Sequence, residues 1–254
     1  MQIAQQTALV TGGGSGLGAA VARELARQGA KVTVLDRSAD HAKAVADEIG
    51  GMAFAADITD ADAVNAALDA TEALFGVPRI VMNIAGIGSA KRVIGRDGNP
   101  APMEDFERVI HVNLLGTYNV VRLAAARIAK LDPLADGERG VLLMTASVAA
   151  FEGQVGQEAY SASKGGIVSM TLPLARDLAQ YGIRVVTLAP GLFLTPLMKE
   201  LPEPVQQSLA ESIPFPKRLG KPEEFASLAA HVVGNVHLNG EVIRLDGALR
   251  MAPR

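Results

Sequence analysis

Cysteine is absent from the 254 residues. Its absence excludes disulfides, thiolate nucleophiles and Cys-based zinc or iron–sulfur sites, and it fits a reducing environment. Tryptophan is absent too, and aromatics make up only 4% of the chain, too few for the stacking platforms that read single-stranded nucleic acid. Neither sign of charge dominates. The 24 Lys+Arg stand against 27 Asp+Glu, a net −3, so neutralising a phosphate backbone is not the main task of this surface. Apolar runs are short and interrupted, well under the roughly 20 residues a membrane helix needs. Residues 1–7 lack the basic and apolar regions of a secretory signal. The four histidines, at 41, 111, 231 and 237, lack metal-ligand spacing. No nucleic acid, membrane or metal partner is expected, and the expected location is cytoplasmic.

What the chain has in quantity is aliphatic residues and glycine, 26 of the latter. Short apolar runs at 7–10, 31–35, 52–55, 80–82, 141–144, 184–188 and 242–245 alternate with longer helical periodicities at 16–28, 41–49, 61–75, 103–129, 160–181 and 223–233. Each run is too apolar to be one-sided, as in a strand covered on both faces, and the alternation specifies parallel βαβ units. The expected fold is therefore α/β: a doubly wound, Rossmann-type parallel sheet of seven strands with helices on both faces, in one domain over 1–254. Two stretches break the rhythm. Residues 88–102 form a polar insertion, and 191–222 contains six prolines, at 196, 202, 204, 214, 216 and 222, so it is not one regular helix. Both leave the carboxyl ends of strands, where open α/β sheets bind ligands, and 191–222 is expected to form a substrate lid.

Residues 7–18 run Thr-Ala-Leu-Val-Thr-Gly-Gly-Gly-Ser-Gly-Leu-Gly. Gly12, Gly16 and Gly18 follow a strand and open a helix, where glycine permits a tight turn and lets backbone approach a pyrophosphate at the helix N-terminus. Asp36 ends the second strand, 18 residues beyond Gly18, where a carboxylate accepts from a ribose 2′-hydroxyl. It repels a 2′-phosphate, which favours NAD over NADP. Arg37 is the opposing feature, either a receiver for that phosphate or simply solvated. Asp57-Ile58 closes the third strand and Asn83-Ile84-Ala85-Gly86 the fourth, both along the path of such a cofactor. For Asp57, adenine contact and capping of the following helix are compatible roles.

Ser147, Tyr160 and Lys164 are the candidate catalytic residues. Tyr160 and Lys164 are four apart on a helix and share a face. An adjacent ammonium favours the phenolate, lowering a pKa that is ordinarily about 10, and makes Tyr160 a general acid/base. Ser147 follows a strand, with its hydroxyl placed to donate to a substrate oxygen, so Ser147 and Tyr160 together form the substrate-binding pair.

Together these motifs resemble the short-chain dehydrogenases/reductases over nearly the whole chain. The matching features are Thr11-Gly12-x-x-x-Gly16-x-Gly18, Asn83-x-Ala85-Gly86, Asn113, Ser147, Tyr160-x-x-x-Lys164 and Pro190-Gly191. The resemblance implies a fourth catalytic residue, Asn113, supporting a proton relay through Lys164. Ile84 departs from the family pattern, which has a second asparagine there; the position chiefly offers backbone. The runs 145–168, 189–193 and 238–248 are further similar to the type II 3-hydroxyacyl-CoA dehydrogenases, a subfamily also described as 17β-hydroxysteroid dehydrogenases. That likeness implies NAD contacts from Ser15, Leu17, Asp36, Asp57, Ile58, Ile84, Tyr160, Lys164, Phe193 and Thr195, with Pro190 and Gly191 alongside. It implies a homotetramer acting on a short or branched 3-hydroxyacyl-CoA. The alternatives are a hydroxysteroid or other secondary alcohol as substrate, or a non-catalytic dinucleotide sensor. The insertion resembles extra residues beside the subfamily's acyl-CoA site, where Lys91, Arg92 and Arg96 either meet CoA phosphates or are solvated.

Overall fold

Seven parallel strands set the frame: β1 (Thr7–Thr11), β2 (Lys31–Asp36), β3 (Met52–Ala55), β4 (Ile80–Asn83), β5 (Gly140–Thr145), β6 (Ile183–Pro190) and β7 (Val242–Leu245). Their order is β3-β2-β1-β4-β5-β6-β7. The computed structural model describes residues 1–253, the side chain of Leu197 excepted. The sheet is doubly wound as expected, and the direction of winding reverses between β1 and β4, which pair in register from Ala8–Ile80 to Thr11–Asn83. A crevice opens beyond the carboxyl ends of strands at such a switch point.

Side chains alternate between two cores, one on each face, as the period-two geometry of a strand requires. Val10 and Leu143 enter the layer beneath α1 (Gly16–Arg27), α2 (Ala39–Ile49) and α9 (Pro222–Gly234), with Val21, Leu25 and Phe225. Leu9 and Leu142 enter the opposite layer beneath α3 (Ala61–Phe75), α5 (Thr117–Ile128) and α6 (Glu158–Leu178), with Leu68, Val120 and Ile167. Burial of the central strands β1, β4, β5 and β6 on both faces explains why they read as largely apolar runs. Among the described residues, no helix is long and apolar enough to cross a membrane.

Two local features, the helix over 103–129 and the cap of α3, differ from the sequence reading. The helix expected over 103–129 is interrupted: α4 (Met103–Ile110) passes through a π-helical turn, His111–Gly116, before α5. A π-turn inserts one residue without changing the apolar spacing enough to be seen, and such turns favour functional sites. The cap of α3 is Asp60, which accepts from the backbone N–H of Asp62 and Ala63 at 2.9 and 3.2 Å. Asp57 instead accepts from the Thr59 backbone at 2.9 Å and its hydroxyl at 2.7 Å, so its capping role is restricted to its own turn. Within 191–222, two short helices, α7 (Pro196–Lys199) and α8 (Glu203–Glu211), lie between proline-bearing loops. Beneath them is a small third apolar cluster of Ile213, Leu219 and Leu249. Residues 88–102 form an exposed loop closed by an antiparallel bridge between Ile94 and Pro100.

Candidate active site

A groove of about 520 Å³ lies over the β1/β4 switch point. Gly12, with φ +64°, turns the chain out of β1, and a Cβ there would stand 2.8 Å from the Ala85 Cα. At Gly18 a Cβ would overlap the Gly12 carbonyl oxygen, so only glycine lets α1 start this close to the strand. The Ser15 side chain at the N-cap makes no bond to the first turn of α1, and the helix end is lined by Ser15, Gly16, Leu17 and Gly18. A backbone cradle that a Cβ would fill, at an uncapped helix N-terminus, fits a pyrophosphate. Asp36 and Arg37 line the next part of the groove, then Asp57 and Ile58. The Asp36 carboxylate accepts from the backbone N–H of Gly14 and Ser38, each at 3.0 Å. Hydrogen bonding to Thr59 holds the Asp57 carboxyl below its ordinary range against the opposing effect of burial.

At the other end, Ile84, Ala85 and Gly86 form one wall and Pro190 and Thr195 another, with Tyr160 and Lys164 between them. Three residues expected here sit elsewhere. Asn83 is buried below the floor, its Nδ2 donating to the Leu143 carbonyl at 3.2 Å, so it braces β4 to β5. Gly191 is close-packed on Asp246 and does not line the groove. The Phe193 side chain points into the core, edge-on to Phe225 with ring centroids 6.2 Å apart, because an apolar ring is more stable there than at a wet cleft. Only its backbone faces the Thr195 turn, through a 2.8 Å bond from the Thr195 N–H to the Phe193 carbonyl.

Ser147 ends the loop after β5, and its hydroxyl accepts from the Ala149 N–H at 3.2 Å. The Tyr160 phenol is pushed above its ordinary value by burial, while a hydrogen-bonding contact with Ser147 pulls it down. Burial lowers the Lys164 ammonium to about 8. Its Nζ donates to the Thr145 carbonyl at 2.7 Å and lies 5.8 Å from the centre of the Tyr160 ring. The direct lowering of Tyr160 by Lys164, expected from their shared helix face, is therefore not the dominant effect. The ammonium is drawn to the strand-end carbonyl, and desolvation decides the sign for both groups.

The π-turn brings Asn113 to this cluster. Its Oδ1 accepts from the Ile87 N–H at 2.8 Å, and its Nδ2 donates to the Ile87 carbonyl at 2.9 Å and the Ser163 hydroxyl at 3.0 Å. A Cβ on Gly86 would lie 3.2 Å from Asn113 Oδ1 and 3.4 Å from Lys164 Nζ. Asn113, Gly86 and Lys164 therefore converge on one point. At the insertion, Lys91 pairs with Asp105 at 2.6 Å, while Arg92 and Arg96 are exposed.

The family model described as short chain dehydrogenase matches residues 6–206. The chain belongs to the short-chain dehydrogenase family. It is 53% identical over 249 residues to 3-hydroxyacyl-CoA dehydrogenase type-2 of Bos taurus, covering 97% of this chain and 95% of the relative. The crystal structure of 3-hydroxyacyl-CoA dehydrogenase type-2 from Mycobacterium avium superposes with a TM-score of 0.94 at 44% identity, covering all of both chains. That of 3-ketoacyl-(acyl-carrier-protein) reductase from Brucella melitensis complexed with NADH gives 0.87 at 34%, covering 98% of this chain and all of the other. This short-chain dehydrogenase is an oxidoreductase that uses a nicotinamide dinucleotide.

One contributor to the site of this short-chain dehydrogenase was visible in sequence only as part of a motif. The Thr11 hydroxyl accepts from the backbone N–H of Ile84 and Ala85 at 3.1 and 3.2 Å, pinning the groove's wall to β1. A hydroxyl at the end of a buried strand, just before Gly12, was the available signal. Thr11→Val keeps shape but leaves two N–H groups unpaired, and is expected to cost about 1–3 kcal/mol. Urea unfolding checks the loss, and a weaker NADH affinity is expected alongside it.

Proposed function

We propose that this chain is an NAD-dependent 3-hydroxyacyl-CoA dehydrogenase, interconverting a short or branched 3-hydroxyacyl-CoA and its 3-ketoacyl-CoA. The observation that carries the reading is a groove with Tyr160 and Lys164 at one end, Tyr160 in contact with Ser147, and Asp36 at the other. The extent of likeness to relatives bearing that name supports the substrate class.

Gly12, Ser15, Gly16, Leu17 and Gly18 would hold the pyrophosphate, Asp36 the adenosine ribose, and Asp57 and Ile58 the adenine. Ile84, Ala85, Gly86, Lys164, Pro190 and Thr195 would hold the nicotinamide half. When bound, the cofactor accepts or gives the hydride. The chain's own residues supply orientation and the proton. Ser147 donates to the substrate oxygen and fixes its distance from Tyr160. In alcohol oxidation the Tyr160 oxygen takes the hydroxyl proton, and in ketone reduction it gives the proton back. Lys164, buried and charged below about pH 8, stabilises negative charge at that oxygen, and Asn113 holds the neighbouring backbone at Ile87.

A pH dependence follows. The Lys164 pKa lies below its unfolded value, so the ammonium discharges as pH rises through about 8. Ketone reduction needs both a protonated Tyr160 and a charged Lys164, and kcat/KM at saturating NADH is expected to be level below pH 8 and to fall above it. Lys164→Arg, which stays charged, is expected to remove that fall from whatever activity it keeps; the same limb in both proteins would refute the assignment.

The substrate reading is tested by kcat/KM for acetoacetyl-CoA and a 3-ketosteroid, each with NADH and NADPH. Preference for acetoacetyl-CoA with NADH supports it, and preference for the steroid replaces it with a hydroxysteroid dehydrogenase. Exposed Met103, Leu115 and Tyr118 on α4, the π-turn and α5 support self-association, and with the resemblance a homotetramer. A cysteine-free chain suits the reducing cytoplasm.

A further inference from the structure

Between Ser147 and Tyr160 the chain is tied to itself and to distant segments. The Ala150 N–H bonds to the Ser147 carbonyl at 3.0 Å, and the Glu152 N–H bonds to the Val148 carbonyl at 3.0 Å. Glu152 is thus rigidly connected to Ser147 through one tight turn. Its carboxylate receives both Nη atoms of Arg244, at 2.6 and 2.9 Å, from β7, 92 residues away. Arg244 is itself fixed: its Nε donates to Asp246 at 2.7 Å, its Nη2 to the Leu249 carbonyl at 3.0 Å, and the guanidinium lies 5.1 Å from the centre of the Phe151 ring. Arg250 also reaches Glu152, at 3.3 Å. Further along, the Val155 N–H bonds to the Pro253 carbonyl at 3.1 Å, and the Gly156 carbonyl accepts from the Lys91 N–H at 2.7 Å. The Gln157 carbonyl accepts from Ser161 N–H at 2.7 Å in the first turn of α6, one residue from Tyr160.

We propose that Arg244 and Glu152 are positioning residues for the proton-transfer pair: their two-pronged bond fixes the loop joining Ser147 to Tyr160, and so the relative placement of the two hydroxyls. The inference rests on the proposed roles of those hydroxyls. A planar guanidinium meeting a carboxylate with two parallel bonds constrains orientation as well as distance. Arg244 holds the Glu152 carboxyl below its ordinary range, so the pair stays ionised at neutral pH. The pair lies away from the nucleotide groove, so breaking it disturbs alignment of the reacting oxygen without disturbing cofactor binding. A misplacement of about 1 Å at a reacting centre costs up to about 100-fold in rate.

The test compares Glu152→Gln, Arg244→Met, the double variant and Arg244→Lys in NADH-dependent reduction of acetoacetyl-CoA, with kcat normalised to NADH-binding sites. Each of the first two is expected to lose about tenfold or more in kcat per site, with NADH Kd unchanged. The double variant is expected to be no worse than the poorer single, since both substitutions break the same two-pronged bond. Arg244→Lys, which keeps the charge but not the fork, is expected to fall between wild type and Arg244→Met. Wild-type kcat per site with only a lowered Tm overturns the proposal, as do multiplicative losses in the double variant. If Arg244→Met does not fold, Glu152→Gln and Arg244→Lys decide by the same readout. A wild-type chain that reduces no ketone refutes the functional reading itself, before any variant is made.

Discussion

Tyr160→Phe is expected to lose about 10³-fold or more in kcat while binding NADH as the wild type does. The substitution removes one oxygen and leaves the ring, so contacts along α6 and the 5.8 Å spacing to Lys164 Nζ are preserved. Nothing in the pyrophosphate cradle or at Asp36 changes. What is lost is the group proposed to exchange a proton with the substrate oxygen, and positioned proton transfer contributes about 10²–10⁴-fold. The upper part of that range is appropriate because no other group is available to replace the phenol. Ser147 is an alcohol bound to the Ala149 N–H, and Lys164 is committed to the Thr145 carbonyl. Stopped-flow reduction of acetoacetyl-CoA gives kcat, and quenching or enhancement of NADH fluorescence gives Kd. Retention of more than about a tenth of wild-type kcat would remove Tyr160 from the proton path.

The sheet was legible because parallel strands covered on both faces are rich in apolar residues, and the sequence runs match all seven to within about two residues at each end. The glycine turn was legible for a similar reason: only glycine fits at Gly18 against the Gly12 carbonyl, so the chemistry of the site is written into residue type. Features that depend on one side chain finding another across the fold were not legible. Phe193 follows Pro190-Gly191 in the run that resembles the family, but only packing shows that its ring leaves the groove for Phe225. Asp57 reads in sequence as a cap for α3, and only the backbone N–H groups that come into range show Asp60 in that role and Asp57 on its own turn. The π-turn at Asn113 adds a residue to a helix whose apolar periodicity barely registers it. The shifts of Tyr160 and Lys164 follow from desolvation, which spacing along a helix does not contain.

With the proposed preference for NAD, Asp36→Ser is expected to turn discrimination against NADPH into acceptance of it. In the wild type the carboxylate is held by the N–H groups of Gly14 and Ser38 and lines the groove. Held from two sides, it cannot swing away from an incoming 2′-phosphate. Like charges placed together cost several kcal/mol, and each 1.4 kcal/mol is tenfold, so kcat/KM for NADH is expected to exceed that for NADPH by about 10²–10³. Serine removes the charge and shortens the side chain, which opens room beside Arg37, and that guanidinium then has a phosphate to pair with. The NADPH value is expected to rise about 10²-fold, while the NADH value falls about tenfold through loss of the ribose hydrogen bond. Two N–H groups lose their acceptor, at a cost of about 1 kcal/mol in stability if water replaces it, which thermal unfolding in parallel will register. Adding Arg37→Ala should cancel most of the NADPH gain, since the phosphate is then left without a partner. Unchanged NADPH turnover in Asp36→Ser, or equal use of both cofactors by the wild type, would show that specificity is set elsewhere in the groove.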